Sequence, residues 1–289
     1  MNWGFVGLGQ MGLPMARRLS ARVDLRAYDL RSGDFAGLDT VETAAELSGC
    51  EVLVTCLPDG RAVRNVLFGE PGLADSPERP GVVIDTSTTT HAAALDIGAR
   101  LAERGIAFLD APVSGMQARA EEGTLTMMVG GAAEQLAPLR DPLGAMASRI
   151  LHVGPVGAGQ LAKLTNQLLF DINMAALAEI LPISAKLGLD PGQVAEIVNS
   201  GTGRSYASEF FLPNILQGVF DQGYPMQAAY KDLIAGAAVT NENGFPAPVL
   251  AAATATYQQA LAEGFGGEDK GAMIKVFERL VGAAFRSRE

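Results

Sequence analysis

The chain has 289 residues, of which 48% are hydrophobic and 19% charged; this is ample for buried cores and unlike a disordered chain. With domains of roughly 100–200 residues, that length points to two. The net charge of −10 and pI near 4.8, with no run of Lys and Arg, argue against a nucleic-acid partner. A small anion stays compatible, because backbone N–H groups at a helix N-terminus hold one locally.

Met1 is followed at once by Asn2–Val6, an apolar run that reads as a strand, with no basic leader or cleavage site. Gly7-Leu8-Gly9-Gln10-Met11-Gly12 comes next and opens a helix at Leu13-Pro14-Met15-Ala16, with Pro14 suited to a first turn. The spacing has a mechanical reason: Gly7 permits the tight turn, Gly9 lets a pyrophosphate approach the backbone, and Gly12 lets the helix pack on the strand. A second strand, Leu25–Tyr28, ends at Asp29, the acidic position that accepts hydrogen bonds from an adenosine ribose. A carboxylate there repels a 2′-phosphate and favours NAD. Arg31, two residues on, either pairs with that phosphate, keeping NADP open, or stands as a solvated surface charge.

Further strands are expected at Val52–Cys56, Val82–Asp85, Ala107–Leu109, Leu125–Val129 and Ile150–Val153. They alternate with helical stretches, which implies a parallel sheet covered on both faces. Cys50 and Cys56 form neither a disulfide framework nor a metal-ligand spacing, so no metal is expected and a reducing cytoplasm fits. Gly154-Pro155-Val156-Gly157-Ala158-Gly159 reads as a hinge, and no strand pattern follows it. The expected fold class is α/β: a Rossmann-type doubly wound sheet over residues 1–157, then an all-α domain over 158–289 for substrate and oligomerisation. The first helix of that domain, from about Ala158 to Leu187, is apolar on most faces, with a kink expected at Pro182. Lys163, Asn166, Gln167, Asp171, Asn173 and Glu179 interrupt it and argue against a membrane span. Such a helix needs cover, including from a second subunit, so a homodimer or homotetramer is expected.

The residue inventory narrows the acid/base group of a dinucleotide enzyme. His91 opens a helix and His152 lies in an apolar strand, neither with an acidic partner nearby in sequence, so both read as structural. No Tyr is followed four residues later by Lys, and no Cys/His cluster exists. Lys163 is left as the leading option, with Asn166 and Gln167 three and four residues on, on the same helical face. Burial beside a positive nicotinamide would lower a lysine pKa toward the working range of a general acid/base. The same spacing also describes a lysine snorkelling off a helix end.

Four segments, in order along essentially the whole chain, resemble the β-hydroxyacid dehydrogenases, a family that includes 3-hydroxyisobutyrate dehydrogenase and the tartronate semialdehyde and glyoxylate reductases. They are Gly7 to Ala16; Asp85-Thr86-Ser87-Thr88 with Leu57-Pro58; Asp110-Ala111-Pro112-Val113-Ser114-Gly115 with Gly123-Thr124-Leu125 and Met128-Val129-Gly130-Gly131; and Gly157 to Asn166. The resemblance implies hydride transfer between NAD(H) and a small 3-hydroxy acid or its semialdehyde. It implies that Gly7, Leu8, Gly9, Gln10, Met11 and Gly12 hold the cofactor, together with Leu57 and Pro58, and that Thr88 lies by the nicotinamide ribose. It further implies Ser114, Gly115 and Met116 at the substrate carboxylate, Lys163 as the catalytic acid/base, and Asn166 as the substrate-orienting amide. Lys231, in Lys231-Asp232-Leu233, closes over the nicotinamide side in this family, although by itself it reads as a helix-surface charge. Met116 replaces the family's usual second glycine and Arg119 stands where many members have glycine, so the substrate stays open. Arg119 either meets a second carboxylate or points to solvent. Rival readings are a glyoxylate or succinic semialdehyde reductase using NADPH, and, from another class, a non-catalytic dinucleotide-binding sensor. Imine reductases share the architecture but usually lack lysine at the position of Lys163.

Overall fold

A computed structural model describes residues 1–70 and 72–287, which form two compact units, Met1–Lys163 and Leu164–Glu289. In chain order the first unit holds β1 (Asn2–Val6), α1 (Gly12–Ser20), β2 (Asp24–Tyr28), β3 (Asp39–Thr40), β4 (Val52–Thr55), α2 (Gly60–Phe68) and β5 (Val82–Asp85). Then come α3 (His91–Ala102), β6 (Ala107–Asp110), β7 (Val113–Ser114), α4 (Met116–Glu122), β8 (Leu125–Gly130), α5 (Ala133–Leu136), α6 (Arg140–Leu143) and β9 (Ala147–Gly154).

The strands make one sheet in the order β3-β2-β1-β4-β5-β6-β8-β7, with β9 beside β8. Alternate residues of each central strand enter opposite cores, as the two-residue period of a strand requires. Phe5, Val54, Ile84 and Leu109 pack with Met15, Ala16 and Leu19 of α1. Val6, Leu53, Val83 and Phe108 pack instead with Val63 and Leu67 of α2 and Ala94, Ile97 and Leu101 of α3. Helices therefore cover both faces, which is the doubly wound arrangement expected from the near-continuous apolar runs.

The sheet departs from the all-parallel expectation at one edge, where β8 runs antiparallel to β6 and β7. Only a short link separates Ser114 from Leu125, and a parallel crossover needs a dozen or more residues, so the chain folds back instead. The two-residue strands β3 and β7 were not expected; neither is long enough to carry an apolar alternation.

Helix α7 (Ala158–Lys186) starts in the first unit, and the division between the units falls inside it, after Lys163. Pro182 lies within the helix, which continues four residues beyond it. The second unit adds α8 (Pro191–Ser200), α9 (Tyr206–Gln217), α10 (Met226–Glu242), α11 (Pro248–Ala262) and α12 (Ile274–Val281). Among its described residues there is no strand, only one isolated bridge between Pro225 and Asp269. Met174, Ala178 and Leu181 of α7 join Phe211, Leu233, Tyr257 and Ile274 in its core. By length and composition α7 is apolar enough to cross a membrane, but that core claims one of its faces.

Candidate functional site

The glycine turn is built by close approach. Gly7 has φ +101°, and a Cβ there would stand 2.2 Å from the Cys56 carbonyl oxygen; one on Gly12 would stand 1.9 Å from the Gly7 carbonyl. Both positions therefore demand glycine. Gly9 is different: only Arg31 Nη2, at 3.5 Å, lies near where its Cβ would be. The turn backbone is thus open at the residue where a pyrophosphate must approach, and the residues fit a dinucleotide. A groove of about 680 Å³ runs along this turn, lined among others by Leu8, Gly9, Gln10, Pro14, Arg17 and Arg31.

Asp29 ties the turn to the end of β2. Leu8 N–H donates to Asp29 Oδ2 at 2.7 Å and Arg31 N–H to Oδ1 at 2.8 Å. Burial pushes the Asp29 pKa up, but these two donors and the Arg31 guanidinium outweigh it and hold the carboxyl below its ordinary value. Asp29 is therefore ionised; Oδ1 accepts from both Arg31 N–H and Arg31 Nε, while Oδ2, bound only to Leu8 N–H, keeps a lone pair for a ribose hydroxyl. Arg31, whose side chain is 74% exposed, is 3.4 Å from Asp29 Oδ1, a surface pair with little hold on it.

The loops after β4 and β5 form a buried polar knot. Leu57 N–H donates to Ser87 Oγ at 2.8 Å, and Thr86 Oγ1 donates to the Thr55 carbonyl at 2.7 Å. Asp85 Oδ1 accepts from Thr55 Oγ1 at 2.8 Å and from Ser87 N–H at 3.1 Å. Leu57 is thus bound to Ser87, the residue before Thr88, although the two lie 30 residues apart in the chain.

The segment from Gly154 to Gly159 then meets the ends of β6 and β8. Gly157 N–H and Gln160 N–H donate to the two oxygens of Asp110 at 2.7 and 2.9 Å, which caps the start of α7. A Cβ on Gly159 would lie 2.3 Å from the Asp110 carbonyl and 2.5 Å from that of Met128, so this turn seats directly on the strand ends. Burial raises the Asp110 pKa against the pull of those backbone donors. His91 Nδ1 lies 3.1 Å from the Gly157 carbonyl and His152 Nε2 2.8 Å from that of Gly131, so both histidines have structural contacts. Lys163, one turn beyond the cap, is 8% exposed.

Ser114 and Gly115 lead into α4, with Gly115 at φ +144° and Met116 at φ +60°. Met116 is the non-glycine residue with positive φ among the described residues, which gives the physical reason that glycine is usual there. Arg119 is half-buried, and its Nη2 donates to the Thr124 carbonyl at 2.6 Å.

In the second unit Asn166 is exposed. Gln167 Nε2 donates to Asp232 Oδ2 at 3.1 Å, which fixes the buried neighbour of the exposed Lys231. One turn on, Asp171 is fully buried, accepting from Tyr257 Oη at 3.1 Å and from Lys270 Nζ. Sequence reading missed Tyr257 and Lys270. Asp171, a carboxylate in an apolar helix, was the only visible signal, because its partners lie 86 and 99 residues away.

Comparison with known proteins agrees with this geometry. Residues 2–154 match the family described as the NAD binding domain of 6-phosphogluconate dehydrogenase. Residues 157–277 match that described as NAD-binding of NADP-dependent 3-hydroxyisobutyrate dehydrogenase. The chain is 36% identical to a 2-(hydroxymethyl)glutarate dehydrogenase of Eubacterium barkeri, covering 97% of this chain and 96% of that one. It is 35% identical to an L-threonate dehydrogenase of Cupriavidus necator, covering 96% of each. A solved Mycobacterium tuberculosis 3-hydroxyisobutyrate dehydrogenase with L-serine superposes with a TM-score of 0.84 at 30% identity, over 95% of this chain and 98% of that one.

Proposed function

The chain belongs to the β-hydroxyacid dehydrogenase family and is an NAD(P)-dependent oxidoreductase acting on a hydroxyl group; from that premise we propose that it oxidises a small 3-hydroxy acid to its semialdehyde, reversibly, with Lys163 as general acid/base. The observation that carries this reading is the buried Lys163 one turn past a helix start that is pinned to the sheet by Asp110. The relatives' names support the substrate class. 2-(Hydroxymethyl)glutarate, 3-hydroxyisobutyrate and L-serine all place a CH₂OH group on the carbon that bears a carboxylate, and differ only in the third substituent.

The nicotinamide C4 of a bound NAD supplies the hydride acceptor. Gly7, Leu8, Gly9, Gln10, Met11, Gly12 and Asp29 would hold the dinucleotide, with Leu57 and Pro58 contacting it and Thr88 by the nicotinamide ribose. Ser114, Gly115 and Met116 receive the carboxylate, and Asn166 steadies the reacting oxygen. The Lys163 amine takes the hydroxyl proton as the carbon loses hydride, and returns it in reduction. Lys231 would add positive charge. Catalysis on this scheme is positioning plus electrostatics.

Asp29 supports a preference for NAD over NADP. The exposed Arg31 beside Gly9 supports the second reading, a glyoxylate or succinic semialdehyde reductase using NADPH. We take residues 1–157 as the dinucleotide domain and 158–289 as the substrate and oligomerisation domain, in a cytoplasmic homodimer or homotetramer. The free thiols Cys50 and Cys56 are in keeping with a reducing compartment.

Steady-state assays on 3-hydroxyisobutyrate, L-serine, glycerate, 4-hydroxybutyrate, glyoxylate and succinic semialdehyde with each cofactor separate these readings. Lys163→Met is expected to lower kcat by about 10²–10⁴-fold on the best substrate while NADH binding stays nearly unchanged. Wild-type turnover in that variant would end the assignment.

A further inference from the structure

Gln160 stands in the first turn of α7, three residues before Lys163, and is 2% exposed. Its side-chain amide engages the backbone after β5 at two points: Nε2 donates to the Ser87 carbonyl at 2.8 Å, and Oε1 accepts from Thr89 N–H at 3.0 Å. These contacts bracket Thr88. The residue's own N–H donates to Asp110 at the end of β6. Asp85 and Asp110 are register partners on neighbouring parallel strands, so Gln160 joins two adjacent strand ends to the helix that carries Lys163.

The chemistry of the clamp is specific. Its two sites need a donor and an acceptor on one short planar group, which a glutamine amide offers and a carboxylate or thioether does not. Residues three apart lie on one helical face, about 4.5 Å apart along the axis, so whatever fixes Gln160 also fixes the base of Lys163. We propose that Gln160 is a positioning residue for hydride transfer, locking the Thr88 loop and Lys163 at one separation. The proposal rests on Lys163 being the acid/base group.

Two variants test it. Gln160→Met keeps length but loses both hydrogen bonds, whereas Gln160→Glu keeps the acceptor for Thr89 and loses the donor to Ser87. Amide hydrogen exchange on the cofactor-free protein is expected to speed up at Thr89 in the methionine variant and stay slow in the glutamate variant. Gly157, still bound to Asp110, stays slow in both. At saturating NAD⁺, with the panel compound of highest kcat/KM, both variants are expected to lose about 10- to 100-fold in kcat, the scale of a 1 Å misplacement. KM should change far less, and the primary isotope effect on kcat with that compound deuterated at its reacting carbon should rise. Wild-type kcat in both variants overturns the proposal. So does an activity loss that follows the unfolded fraction in a thermal melt, with the isotope effect unchanged. Full turnover in Lys163→Met would instead remove the functional reading, and would leave the exchange result at Thr89 standing.

Discussion

Asp85 ends β5 with no exposed surface; one carboxylate oxygen accepts from Thr55 and Ser87, and the other has no partner among the described residues. Burial pushes its pKa from 3.8 up to about 6, against the pull of those donors. The unfolded chain therefore binds fewer protons than the folded one across that window. Stability from this group is highest at low pH and falls as pH rises from about 4 to 6, with a total near 3 kcal/mol at most. Asp85→Asn keeps the acceptor for Thr55 and Ser87 but does not titrate. The thermal midpoint of the variant is expected to gain on the wild type between about pH 4 and 6, and a constant offset over that range would contradict the assignment. Asp29, after β2, has the opposite sign, since its carboxyl is held below its ordinary value. The acidic end of β2 was legible because its role depends on its place after a strand. The role of Asp85 was not, because it depends on what encloses it.

At the scale of elements, α7 ties chemistry to packing. Its Asp171 is anchored to α11 through Tyr257 and to the turn at Lys270, whose ammonium also sits 4.2 Å from the Phe170 ring centroid. Both charged side chains are removed from solvent. Breaking such a pair from one side leaves an uncompensated buried charge, so Lys270→Met alone is expected to cost about 3–5 kcal/mol in urea denaturation. The double variant Asp171→Leu/Lys270→Met is expected to regain most of that loss. A neutral single variant would show that the pair holds no buried charge. The helix itself was read correctly from hydropathy, nearly to its last residue. Its partners were not, because Tyr257 and Lys270 are ordinary polar positions until α11 and the following turn fold against it.

At the scale of the molecule, α7 and Leu187 just after it leave a largely apolar seam, interrupted by Asn173. Leu169, Ile180, Ile183 and Leu187 are each between 41% and 79% exposed, and with Asn173 and Ala176, also exposed, they recur at alternating offsets of four and three. That is the spacing of a helix face that packs against another helix. It supports the homo-oligomer proposed above, with a second copy of the chain as the occupant. Ile180→Glu/Ile183→Glu is expected to shift the particle to monomer mass in light scattering, with the α/β unit's NADH binding retained. An unchanged mass would place the interface elsewhere.

Some of this protein was determined by sequence alone. The glycine spacing, the acid after β2, the alternation of strand and helix and the long apolar helix are local patterns, set by backbone geometry within a few residues of each position. Tertiary structure decided the rest. It decided that β8 returns antiparallel, that Arg119 bonds the Thr124 carbonyl, and that Gln160 and Asp110 lock the start of α7 to two strand ends. Those contacts join residues as many as 73 positions apart. A hydrogen bond's worth depends on burial and on a partner at the right distance, and neither is written in the neighbours of a residue along the chain.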